Sequence, residues 1–386
     1  MQPFELRAER LLLAVPVAAD IERITELCQD PEIQRWTTLP SPYTHDHAKS
    51  FVEDAVRRGW ETEQDLVWAI RSPEDRRIHG VIGLRSHGDG AAEVGYWVGS
   101  EARGDRLVSR AVRLVAEYAF ADVGLGLTHL RWRAIVGNWA SRRVAWACGF
   151  RIEGLIRGGN AQRGVRRDTW VGTLMAGEPM RPVSPWLDVP TLRGSRVALR
   201  RFADSDAAAV VEACNDPVTQ HWLGGLPSPY TRDIARAYIR DREEEAAAGR
   251  GVHWAAALPE GGPAIGAFSL MGLLTHDGGA EIGYWVHPAA RGRGVATEAV
   301  GLMARHAFAP VPSGGLGLRR LVIAHVTGND GSRKVIERAG FRPYGVERAG
   351  DRIRGGTVLD LHWYDLLSDD PLPRSSGSLP PDEPLL

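Results

Sequence analysis

The run Arg291-Gly292-Arg293-Gly294-Val295-Ala296 carries the clearest chemistry in this chain. It stands between an apolar strand pattern ending at Val286 and a helical stripe over Val295–Phe308. A helix N-terminus presents unsatisfied N–H groups and a partial positive charge, and glycines let an anion come close to backbone. Two arginines add charge, so the segment suits a phosphate group. An ordinary tight turn before a helix is the competing reading. A dinucleotide loop fits less well, because Gly292-x-Gly294 is followed by Thr297 where a third glycine is required. The segment also lies mid-domain and not after a first strand.

The same stretch occurs twice. GAAEVGYWVGSEARGDRLVSRAV at 90–112 returns as GAEIGYWVHPAARGRGVATEAV at 279–300. Ser41-Pro42-Tyr43-Thr44 matches Ser228-Pro229-Tyr230-Thr231, Asn138 and Ser141 match Asn329 and Ser332, and Gly149-Phe150 matches Gly340-Phe341. Landmarks in one order at a nearly constant separation describe a duplicated domain, since solenoid repeats run at roughly 20–50 residues. The copies differ at the loop. Where the second has Gly294, the first has Arg106, preceded by Asp105. The first loop is therefore expected to be disarmed for phosphate, leaving its half to pack against the other and shape an acceptor site.

At about 150 residues per domain, 386 residues suggest two or three domains. The net charge of −1 offers no concentrated basic face for nucleic acid. Three cysteines, Cys28, Cys148 and Cys214, show no metal spacing and no disulfide framework, which points to a reducing cytoplasm. The apolar residues 11–15 are too few for a signal core or a membrane span. His276, His287 and His306 have no metal-ligand spacing. No metal, nucleic acid or membrane partner is expected.

Boundaries follow from punctuation. Pro179, Pro182, Pro185 and Pro190 mark a linker over 177–191, between domains at 1–176 and 192–368. The proline- and serine-rich 369–386 is expected to be disordered. In the second half, LRGSRVALRRF alternates like one strand, and Asp204 is placed to cap a helix through Cys214. Thr231 opens a helix stopped by Gly249. Strands are expected over His253–Leu258, Ala264–Leu274, Glu281–Val286, Leu318–Val326 and Leu359–Leu367, with a helix over Gly331–Ala339. This order predicts a mixed α/β (α+β) domain whose central sheet is covered by helices.

Arg-x-x-Gly-x-Ala after a Gly-Tyr-Trp strand, followed by Asn329-x-x-Ser332 and Gly340-Phe341, resembles the GNAT superfamily of acyl-CoA-dependent N-acetyltransferases. The branch acetylating ribosomal-protein N-termini is most similar, and both halves resemble it nearly end to end. The resemblance implies two tandem folds with central, largely antiparallel sheets, forming an intramolecular pseudo-dimer. It implies that backbone near Val286 and the amides of Arg291, Gly292, Arg293, Gly294, Val295 and Ala296 hold acetyl-CoA, with Asn329 on the pantetheine arm. Glu281 becomes the candidate base, against a structural salt bridge, and Ser332 the candidate thiolate partner, against a helix-cap serine. Many relatives carry a tyrosine four residues or so before the Gly-Phe, where Ile336 stands here.

The expected activity is acetyl transfer to a primary amine, such as a protein N-terminus, an antibiotic or a small metabolite, in the C-terminal domain. A non-catalytic acyl-CoA-binding scaffold and an enzyme using another acyl group, such as succinyl, remain as alternatives. Trp97 and Trp285 occupy equivalent strand positions and are assigned to core. The matched pair Trp36 and Trp222, ahead of the Ser-Pro-Tyr-Thr turns, stays open between core and acceptor contact.

Overall fold

The structure, a computed structural model, describes residues 1–273 and 277–372. The strand end at Leu274, His276 and the tail from Pro373 lie outside the described residues. The chain divides into two compact units, Met1–Ser184 and Pro185–Leu386.

The first unit contains strands β1 (Leu6–Ala8), β2 (Leu11–Ala14), β3 (Asp65–Arg71), β4 (Ile78–Gly88), β5 (Ala91–Val98), β6 (His129–Ile135), β7 (Arg151–Gln162) and β8 (Val165–Met175). Its helices are α1 (Ile21–Leu27), α2 (Pro31–Trp36), α3 (His45–Ser50), α4 (Arg57–Thr62), α5 (Leu107–Phe120) and α6 (Trp139–Ala147). The second unit repeats the plan with β9 (Leu192–Arg193), β10 (Ala198–Arg200), β11 (Val252–Leu258), β12 (Gly261–Met271), β13 (Gly279–Val286), β14 (Arg320–Val326), β15 (Arg342–Arg352) and β16 (Val358–Leu367). Its helices are α7 (Ala207–Asn215), α8 (Pro217–Trp222), α9 (Arg232–Ala247), α10 (Val295–Phe308) and α11 (Asp330–Arg338).

Each unit is built on an 8-stranded sheet, in the order β1-β2-β3-β4-β5-β6-β8-β7 and its counterpart β9-β10-β11-β12-β13-β14-β16-β15. All neighbours are antiparallel except β5–β6 and β13–β14. Those parallel pairs are brief. In the second unit the register runs from Gly279–Arg320 to Ile282–Ile323 and stops. Residues 283–286 remain paired to β12 alone, so the sheet parts beside the Gly-Tyr-Trp segment. Successive strand residues face opposite sides. Ala280 and Ile282 thus join the core under α10, with Val300, Met303 and Ile323, while Trp285 packs on a second cluster holding Val210 and Ile239.

Several expectations are corrected. LRGSRVALRRF is not one strand: Gly194 N–H donates to the Val197 carbonyl at 2.8 Å, and Arg193 pairs with Ala198 across a turn. Asp206, not Asp204, satisfies the helix entry, accepting from Ala203 N–H at 2.9 Å and Ala264 N–H at 3.0 Å. Strand β15 escaped the sequence pattern because nearly every residue in it is exposed, leaving no alternation to detect. Asp369–Leu372 continue the ordered chain, with Asp370 3.0 Å from Arg342 and Leu372 against the core.

Asp206 also receives both terminal nitrogens of Arg200 at 2.8 Å, and its side chain is 1% exposed. Removing one partner of a buried pair strands the other, at a cost of about 3–5 kcal/mol. Asp206→Ala should therefore lower the unfolding free energy by about 3 kcal/mol in denaturant titration. A loss under 1 kcal/mol would show that Arg200 finds water or another acceptor.

Candidate active site in the second unit

The glycine-rich loop meets α10 as the sequence indicates. Gly294 is the residue before the helix, at φ 74° and ψ 2°, and Gly292 has φ 72°. This left-handed region favours glycine because a side chain there crowds the backbone. The N–H groups of residues 292–297 have no protein acceptor among the described residues, and the first helical bond is Glu298 N–H to the Gly294 carbonyl. Open amides on a helix N-terminus form an anion cradle.

Arg291 stands apart from that cradle. Its N–H donates to the Pro288 carbonyl at 3.3 Å, and its guanidinium reaches the Val286 carbonyl, Asp216 at 2.6 Å and the Thr219 hydroxyl at 2.7 Å. It braces the start of α8, so neither its amide nor its charge is offered to the loop. Arg293 is exposed and makes no ion pair among the described residues.

Asn329 and Ser332 open α11. The Asn329 side-chain oxygen accepts the Ser332 N–H at 3.1 Å, so Asn329 caps the helix and Ser332 does not. The Asn329 amide nitrogen remains a donor. The Ser332 hydroxyl lies 2.9 Å from the phenol of Tyr284, the tyrosine of the Gly-Tyr-Trp strand. Sequence reading missed Tyr284 because its partner Ser332 lies 48 residues away and only the fold brings β13 against the start of α11. Burial pushes its pKa up to about 12, against the hydrogen bond from Ser332, so the phenol is protonated at neutral pH. Ile336, where many relatives have a tyrosine, is fully buried and supplies no hydroxyl.

Glu281 sits on β13, half-buried, opposite Met271 and Val322. Its charge helps raise the pKa of the nearby Tyr344, after the larger effect of burial. By strand alternation Glu281 and Tyr284 point to opposite faces of β13. Glu281 thus lies where β13 is still paired with β14, and Tyr284 where the sheet has parted, on the opposite face.

The first unit keeps the frame and immobilises its parts. Arg106 holds φ 55° and ψ 16°, so the loop backbone survives the loss of glycine, and the substitution changes the side chain presented there. A cleft of about 1210 Å³ remains there, reaching Trp36, Trp97, Arg106 and Ser141. The difference lies in the chemical groups. Glu93 is held by Arg133 at 2.7 Å, with His87 at 3.5 Å. The Tyr96–Ser141 hydroxyl pair, 3.0 Å apart, accepts the Trp132 indole N–H at 3.2 and 3.1 Å. At the positions of Trp132 and Arg133 the second unit has Ile323 and Ala324.

Trp97 and Trp285 are half-buried at their cores. Trp222 stacks edge-on with His221, and its ring lies 3.6 Å from the place of a side chain on Gly328. His287 packs beside Glu212 at 3.4 Å, and His306 meets the Trp254 ring. The three cysteines are buried and unpaired. No helix among the described residues is long and apolar enough to cross a membrane.

Residues 10–151 and 196–342 each match the model of the acetyltransferase (GNAT) domain. Two Bacillus subtilis (strain 168) proteins are similar. "Uncharacterized N-acetyltransferase YoaA" is 28% identical over 180 residues, 46% of this chain and 97% of its own. "Putative ribosomal N-acetyltransferase YdaF" is 32% identical over 174 residues, 44% of this chain and 91% of its own. Among solved structures, Mycobacterium smegmatis RimJ in complex with CoA-disulfide is 25% identical, with a TM-score of 0.42, covering 49% of this chain and 91% of that one.

Proposed function

Since the chain belongs to the GNAT family of N-acetyltransferases, we propose that its second unit transfers an acetyl group from acetyl-CoA to a primary amine, while the first unit is chemically silent. The observation that carries this reading is the contrast at equivalent positions. The Tyr96–Ser141 pair accepts the Trp132 indole N–H, whereas Ile323, at the equivalent position, offers the Tyr284–Ser332 pair no donor.

When bound, acetyl-CoA supplies an activated thioester carbonyl. The amides of Gly292–Ala296 suit its diphosphate, because no backbone carbonyl among the described residues uses them. The open edge of residues 283–286 and the Asn329 amide nitrogen suit the pantetheine arm. Glu281 takes a proton from the ammonium so that nitrogen can attack the carbonyl carbon. As the carbon–sulfur bond breaks, Ser332 gives its proton to the departing thiolate and takes one from Tyr284; the second proton shed by the nitrogen as the amide forms passes through solvent to restore the phenol, and Glu281 returns its own to solvent. Each positioned proton transfer contributes about 10²–10⁴-fold.

One relative's name, putative ribosomal N-acetyltransferase, favours a protein amine as acceptor. Thiol-release assays with acetyl-CoA and succinyl-CoA, against N-terminal peptides and small amines, test the reading. Amine-dependent thiol release from acetyl-CoA is the expected result. A chain that binds CoA tightly yet releases no thiol with any amine would be a binding module instead.

A further inference from the structure

The turn between β9 and β10, broken where a continuous strand was expected, brings an arginine to the phosphate loop. Arg196 sits at its end. A side chain built on Gly294 would meet the Arg196 Cδ at 3.6 Å and one guanidinium nitrogen at 3.7 Å. The guanidinium therefore occupies the space beside the residue that opens α10. Arg196 is exposed and makes no ion pair or side-chain hydrogen bond among the described residues.

Its place is fixed from below. Glu298, in the first turn of α10, accepts the Arg196 N–H at 2.7 Å and both the N–H and hydroxyl of Ser195 at 2.8 Å. Gly194 is needed for this approach, since a side chain there would lie 2.7 Å from the Glu298 carboxyl carbon. The carboxylate also sits at the favourable end of the helix dipole. One residue thus turns its charge away from the open amides and anchors the backbone that carries the arginine. The first unit keeps an arginine at this place, Arg10, but not its anchor: Arg110 stands in place of Glu298, and Ala8 in place of Gly194.

We propose that Arg196 is a phosphate-binding residue of the second unit, closing over the diphosphate of CoA from the side opposite the α10 amides, and that Glu298 is its positioning residue. This rests on the reading that CoA binds at the Gly292–Ala296 loop. Backbone amides alone recognise an anion of any shape, and a guanidinium adds a forked, permanently charged donor. A charge-assisted hydrogen bond is worth about 1.5–3 kcal/mol, or roughly 10–100-fold in affinity. The exposure of Arg196 places it at the lower end.

The full chain is titrated calorimetrically with CoA and, in parallel, with pantetheine, which has no phosphates. Arg196→Ala should weaken CoA about 10-fold, leave pantetheine unaffected and flatten the salt dependence, and Arg196→Lys should recover part of the loss. Glu298→Gln should reproduce a smaller version of the same selective loss. Gly294→Glu, which sets a carboxylate against both the amides and Arg196, tests the underlying site. If Gly294→Glu abolishes CoA binding while Arg196→Ala stays within two-fold of the unaltered chain, the assignment of Arg196 is wrong. Equal weakening of CoA and pantetheine by Arg196→Ala would also overturn it, by showing a structural role. If Gly294→Glu itself changes nothing, the loop is not the diphosphate site and the whole reading fails.

Discussion

Glu281→Gln is expected to slow amine acetylation by about 10²–10⁴-fold while CoA affinity stays nearly constant. Glutamine keeps the shape of the side chain and removes its capacity to accept a proton. The distinction lies in the pH profile. Without the base, attack must wait for amine that is already deprotonated, so the glutamine variant should recover part of its lost rate as the pH rises toward the amine's own pKa. Steady-state rates across pH 5–10 with a single amine provide the check. Turnover within a few-fold at every pH would make Glu281 a structural carboxylate and move proton removal elsewhere.

Breaking the hydroxyl relay should have the next largest effect. Ser332→Ala removes the group nearest the departing sulfur, and Tyr284→Phe removes its only hydroxyl partner among the described residues. Each should lower kcat by about 10²-fold or more, with little change in the KM for the amine. The two act in series, so the double variant should be scarcely slower than either single one. Because burial pushes the Tyr284 pKa up to about 12, its proton is present throughout the neutral range. Deprotonation should therefore limit the rate only in strong alkali. Independent losses that multiply in the double variant would contradict a shared proton path.

Much of this site is legible in the sequence because its parts are local. The boundaries of α10 at Val295 and Phe308 follow from the glycine before it and the apolar stripe within it. Glu281, Asn329 and Ser332 stand out through the family resemblance, each on or at the start of a single element. The rest depends on contacts between distant elements. Nothing in the 192–200 segment announces that Arg196 will rest beside Gly294, since the turn forms through a bond from Gly194 to Val197 and a clamp from Glu298. Aligning the repeats exposes the exchange of Trp132 and Arg133 for Ile323 and Ala324, but only distances reveal that the first pair holds Ser141 and Glu93. The backbone path of the first loop was not legible either: Arg106 adopts the glycine-like conformation at a strain of about 1–2 kcal/mol.

The claim at the centre of this account is that acetyl transfer belongs to the second unit. It is tested most directly by comparing two paired variants of the full chain in one thiol-release assay. Glu281→Gln with Ser332→Ala should abolish amine-dependent release, and Glu93→Gln with Ser141→Ala should leave most of it. The reverse outcome, or equal partial losses from both, would place chemistry in the first unit and contradict the account.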